Sequence, residues 1–193
     1  MIVFAASGTL TAARKEFDLM GILVISLVTA LGGGTLRDIL LDRNPIFWIG
    51  DPTYIWIVIL GSIGTLLYVR NRRAPDAALL VADALGMALF AIIGTQLAEG
   101  LGRSGVIAVL MGTITGAAGG VARDVLCAEV PVLFRKSETL YATTAILGCA
   151  TYLLLGLLGI DRAPAALTGL AVIVGLRLAA IFWGLKLPAF TVK

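Results

Sequence analysis

Two short runs hold the residues best suited to chemistry: Gly32-Gly33-Gly34 followed by Arg37-Asp38, and Gly119-Gly120 followed by Arg123-Asp124. Each puts unlike charges inside an apolar stretch, where ionisable groups are costly and mark ion paths, proton relays or buried pairs. Side chains at i and i+1 do not face each other on a helix, so each arginine is expected to seek its acceptor elsewhere, on another segment's aspartate or a freed carbonyl. Snorkelling to the nearer interface is the competing outcome, and it would leave the charges as anchors only. If they line a passage, Asp38 and Asp124 favour cations while Arg37 and Arg123 raise a barrier. Asp83 and Arg177 are also intramembrane charges. They lie about 10 Å and about 13 Å from basic residues of the same face by helical rise, a similar depth that predicts an ion pair between them.

The glycines carry a second kind of chemistry. Consecutive glycines destabilise a helix, so a break or kink is expected at both runs. Carbonyls freed there cannot be solvated by lipid and survive only against protein or a water-filled cavity. They carry the negative end of a helix dipole, which attracts a cation. Close packing is the alternative, because Ser26, Ala30 and Gly34 in one segment and Gly112, Gly116 and Gly120 in the other form stripes at four-residue spacing, the small-xxx-small pattern of helix contacts.

Helices in a bilayer must position these residues. Of 193 residues, 59% are hydrophobic and 14% charged, and the mean hydropathy is +1.00, outside the range of a soluble domain. Apolar stretches at 1–13, 19–41, 53–69, 77–98, 105–126, 139–160 and 164–185 predict an all-α polytopic membrane protein of seven transmembrane helices, each suited to a core of about 30 Å. The first is too short to cross, which leads us to expect residues ahead of Met1. With no histidine, the commonest metal ligand and proton shuttle is missing; no metal, cofactor or catalytic constellation is expected. Cys127 and Cys149 read as packed small hydrophobes. The net charge of +3 forms no interleaved basic patch, so nucleic acid is not an expected partner.

The basic residues report topology instead. Arg14, Lys15, Arg70, Arg72, Arg73, Arg135, Lys136, Lys186 and Lys193 fall on one side, against Arg43, Arg103 and Arg162 on the other. This bias predicts an N-terminus outside and a cytoplasmic C-terminus. Trp48, Tyr54 and Trp56 are expected to anchor the outer interface.

The sequence also repeats. Gly32 to Pro45 aligns without a gap on Ala118 to Pro131, and the same offset of 86 residues pairs Phe4 with Phe90, Gly8 with Gly94 and Thr9 with Thr95. Three crossings per unit force the copies into opposite orientations: residues 1–70, then 76–160, with 164–185 as an extra helix in one domain spanning 1–193. Such inverted repeats place ion or substrate sites near the bilayer midplane. They serve channels, and equally secondary transporters of small solutes such as glycine.

The segments GGGTLRDILL and AGGVARDVL, the NPIFWIGDPTY stretch and the three-plus-three-plus-one layout resemble the bacterial and archaeal branch of the TRIC (trimeric intracellular cation) channels over essentially the whole chain. The resemblance implies a homotrimer in a prokaryotic plasma membrane, surrounded by lipid. Each protomer would hold its own pore for K+ or Na+, along the second and fifth spans kinked at glycines. Its motif falls on Gly32, Gly33, Gly34, Gly119 and Gly120, with Gly116 on the same stripe and Arg37, Asp38, Arg123 and Asp124 nearby. Ala118 stands where the first copy has Gly32, so the two kinks need not be equivalent.

Overall fold

The computed structural model describes residues 1–71, 76–135 and 140–184. Arg72, Arg73, Lys136, Lys186 and Lys193 of the charge bias lie outside the described residues. The chain is all-helical: α1 (Ile2–Arg14), α2 (Leu19–Leu40), the four-residue α3 (Phe47–Gly50), α4 (Thr53–Asn71), α5 (Asp76–Gly100), α6 (Gly105–Leu126), a 3₁₀ turn (Val132–Phe134), α7 (Tyr141–Leu157) and α8 (Arg162–Trp183). Among the described residues, five helices, α2, α4, α5, α6 and α8, are long and apolar enough to cross a bilayer. Composition and periodicity did not reveal α3 or the 3₁₀ turn, which are too short to show a period.

The helix ends follow from local chemistry. Asp18 caps α2, its Oδ1 accepting from the Gly21 N–H at 2.7 Å. At the other end of α2, Asp42 adopts a left-handed φ of 53°; the Asp42 N–H reaches the Ile39 carbonyl at 3.1 Å, and that of Arg43 the Asp38 carbonyl at 2.8 Å. This is a Schellman closure. It recurs 86 residues on, where Ala128 has φ 53° and the N–H groups of Ala128 and Glu129 reach the Val125 and Asp124 carbonyls at 3.1 and 2.8 Å. Both helices therefore stop at the residue that sets up the loop beyond the Arg-Asp pair.

The main core centres on α5 and draws buried residues from α1, α2, α4, α6, α7 and α8. Phe4 and Phe90, partners in the repeat, stack with centroids 5.2 Å apart and planes at 11°. α2 and α6 cross antiparallel: residue 29 meets 119 and residue 33 meets 115. A Cβ on Gly33 would lie 2.1 Å from the Thr115 carbonyl oxygen, and one on Gly119 would lie 2.1 Å from that of Thr29. Only glycine allows backbones that close. The break expected at the glycine runs is not found, because α2 and α6 are uninterrupted helices through them. The packing reading explains why: each gap is filled by the facing backbone, which offsets glycine's poor helix propensity.

Candidate functional site

Each Arg-Asp pair forms a clasp at the C-terminal end of its helix. Arg37 Nε and Nη2 donate to Asp38 Oδ1 at 2.9 and 2.8 Å, and Arg123 Nε donates to Asp124 Oδ1 at 2.8 Å. This corrects the expectation that neighbours would not pair. Their Cβ atoms diverge, but an arginine is long enough to curl along the helix surface and bring its Nε beside the next carboxylate. The second carboxylate oxygen holds the following loop. Asp38 Oδ2 accepts the Phe47 N–H at 2.9 Å, and Asp124 Oδ2 accepts the Val132 N–H at 2.9 Å. Because α2 and α6 run antiparallel, the two clasps sit at opposite ends of the helix pair.

The two clasps differ in what else holds the arginine. Arg123 is 1% exposed; its Nη1 reaches Asp83 Oδ1 on α5 at 2.9 Å and also the Ser7 hydroxyl on α1. Two carboxylates thus face one guanidinium, the pairing a buried charge needs. Arg37 has the Phe47 ring 5.6 Å from its Cζ, and it lines a cavity of about 570 Å³ with Arg43, Asn44, Asp51 and Tyr54 on the face bearing residues 41–52. Asp38 is also 3.7 Å from Arg43, whose side chain is 44% exposed. The loop carboxyl of Asp51, hydrogen-bonded by Thr53, is held below its ordinary pKa. Both clasps are buried, with Arg37 4% and Arg123 1% exposed, and the one at this end lines a cavity.

Asp83 is found against Arg123, and the Arg177 guanidinium lies over the Tyr141 ring, 4.7 Å from its centroid. Tyr141 joins the groups: a Cβ on Gly120 would sit 3.1 Å from Asp83 Oδ1, 3.2 Å from the Tyr141 hydroxyl and 3.7 Å from Arg123 Nη2. Gly120 therefore makes room for the charge cluster. Gly34 does the same for the Phe47 ring, 2.5 Å from where its Cβ would be, and a Cβ on Gly116 would lie 2.7 Å from the Met87 carbonyl oxygen. Gly32 is different, since the Gly119 Cα would be 3.9 Å away, an ordinary contact. Between the clasps lie buried hydroxyls of α1, α2, α5 and α6: Thr9, Ser26, Thr29, Thr95 and Thr115. Thr9 and Ser26 hydrogen-bond each other at 2.8 Å.

Sequence reasoning missed Ser7, Phe47 and Tyr141. For Ser7 the repeat was a usable signal, because it lies one residue before the matched Gly8-Thr9. Phe47 and Tyr141 had no signal beyond aromatic character. Of the expected interface aromatics, Trp56 is 63% exposed. Trp48 instead donates to Thr35 Oγ1 at 2.9 Å, and Tyr54 packs edge-on against Phe47 at 5.1 Å.

Long apolar helices with buried ion pairs at both ends of an antiparallel pair define a multi-pass membrane protein, and comparison with known proteins narrows the class. A family sequence profile described as "Glycine transporter" matches residues 1–70 and 80–156. The chain is 43% identical over 194 residues to the UPF0126 inner membrane protein YadS of Escherichia coli K12, covering 97% of this chain and 91% of YadS. A UPF0126 membrane protein of Vibrio cholerae is 41% identical, over 97% and 78% of the two chains. The structure of a TRIC trimeric intracellular cation channel orthologue from Rhodobacter sphaeroides superposes with a TM-score of 0.90 at 37% identity, covering 95% of this chain and 94% of that one. A second TRIC cation channel, from work on conductance, gives 0.88 at 34% identity over 100% and 94%. The chain belongs to the TRIC channel family, which the glycine-transporter profile also describes.

Proposed function

We propose that the chain is a passive channel for monovalent cations, K+ or Na+, with a pore inside each protomer of a homotrimer and no cofactor beyond the permeant ion. The observation that carries this reading is the pair of Arg-Asp clasps at opposite ends of a set of buried hydroxyls on α1, α2, α5 and α6. Hydroxyls can replace part of a cation's hydration, and carboxylates at each end favour positive charge. The guanidiniums oppose it, so the closed state is one in which both arginines remain clasped. The solved relatives are TRIC cation channels.

In this reading residues 1–193 are one transmembrane domain, with 1–70 and 76–160 as inverted three-helix units and 164–185 as the seventh helix. The domain sits in a prokaryotic plasma membrane, as the inner-membrane relative supports, and the bias of basic residues favours an N-terminus outside. Bending without loss of winding is the form in which the glycine kinks enter the proposal. Ser26, Thr29 and Thr35 donate to carbonyls four residues back on α2, at 2.8, 2.6 and 2.8 Å, a bond that bends helices.

Single-channel recording of the purified protein in a planar bilayer tests the proposal. Ohmic unitary K+ currents are expected, and Arg37→Gln is expected to raise unitary conductance by removing positive charge from the cavity mouth. Saturable glycine uptake coupled to an ion gradient, without unitary currents, would instead establish the transporter reading.

A further inference from the structure

Arg103 and Arg162 are two of the three basic residues assigned to the 41–52 face. They line one cavity of about 430 Å³, where the ends of α5, α6, α7 and α8 meet. Glu99 shares the cavity, but its Oε2 already accepts the Tyr152 hydroxyl at 2.6 Å. The basin therefore holds two guanidiniums against one hydrogen-bonded carboxylate. A membrane edge accounts for exposed arginines in general; it does not account for their convergence on one basin.

The basin opens into lipid territory. Gly105 and Leu153 line both the basin and an apolar groove of about 620 Å³ between α6 and α7, walled by Val109, Leu110 and Ile146. A Cβ on Gly105 would meet Leu153 Cδ1 at 3.7 Å, an ordinary contact, so the junction tolerates a methyl group there and only a larger side chain would fill it. We propose that basin and groove together bind one anionic phospholipid, its phosphate held by Arg103 and Arg162 and one acyl chain lying between α6 and α7. Guanidinium forks match phosphate oxygens, and a charged basin joined to an apolar groove matches a molecule with both characters.

Native mass spectrometry of the full-length protein with dioleoyl phosphatidylglycerol tests this. The wild type is expected to retain the lipid, and the Arg103→Gln/Arg162→Gln double variant to lose about tenfold or more in retention. Gly105→Leu, which fills the junction, is expected to weaken retention comparably, while Gly105→Ala keeps it. Excess inorganic phosphate should not displace the lipid. Unchanged retention in the double variant would overturn the proposal. So would displacement by phosphate with Gly105→Leu indifferent, which would mark a soluble-anion site. A change of subunit stoichiometry in Gly105→Leu, with lipid retention intact, would show that a second copy fills the groove and would also overturn it.

Discussion

Neighbouring glycines of this chain have different jobs, and substitution separates them. Gly33→Ala drives a methyl group into the Thr115 carbonyl, and backbone cannot yield as a side chain tip can. A loss of about 1–3 kcal/mol is expected for such overpacking, with Gly119→Ala behaving alike by the same geometry. Gly32→Ala makes only ordinary contact and is expected to stay within about 1 kcal/mol of wild type. Denaturant titration in detergent, monitored by circular dichroism, compares them; equal losses at 32 and 33 would refute the close-approach account. At the buried cluster, Asp83→Asn leaves Arg123 with Asp124 as its remaining carboxylate partner among the described residues. Truncating one side of a buried pair costs about 3–5 kcal/mol. Pairing it with Arg123→Gln should recover part of that loss in a double-mutant cycle, and strict additivity would deny the contact.

At the scale of elements, the ends of α2 and α6 offer the clearest gains. Ala128 is exposed and left-handed, a conformation that favours glycine. Ala128→Gly is expected to raise stability by about 0.5–1 kcal/mol in thermal unfolding, because the strain of the folded residue is relieved. Beside it, Glu129 joins Lys15 at 3.0 Å and Arg135 at 2.8 Å. The hydrogen bond from Lys15 leads the effects that hold its carboxyl below the ordinary 4.5. A depressed carboxyl stabilises the fold above its ordinary range and stops doing so as pH falls through its folded pKa. The difference in melting temperature between wild type and Glu129→Gln should therefore be present near neutrality and vanish in acid. A gap that persists at low pH would rule out this pair as its source.

Most of the long helices were legible because hydropathy runs mark membrane segments directly, and α6 begins and ends at the predicted residues 105 and 126. The Arg-Asp runs were legible as special because charge is rare in such segments. Their partners were not. Nothing in the one-dimensional pattern says that Arg123 turns toward Asp83 and Ser7 while Arg37 turns toward Phe47, since that choice depends on which helices lie alongside. Glycine clusters were also ambiguous, because the same composition serves a broken helix and a tightly packed one, and the facing carbonyl decides between them.

For the whole molecule, the difference between the two clasps predicts an asymmetric response. Neutralising Arg37, which lines the cavity, should change conductance as well as lower stability, because Asp38 is left buried with a weakened pairing, whereas neutralising Arg123, which lies between Asp83 and Asp124, should chiefly lower stability. Parallel measurement of unitary current and melting temperature separates the two, and matching effects in both variants would contradict the asymmetry.

The stacking of Phe4 on Phe90 and the crossed contacts of Thr29 with Gly119 and Gly33 with Thr115 have the reciprocity of an isologous dimer interface. Positions 86 residues apart exchange partners across this seam: 29 meets 119 as 33 meets 115. Within one polypeptide this means that a favourable change at any of these positions acts across the seam on the neighbourhood of its own counterpart, so the join can be tightened from one side alone.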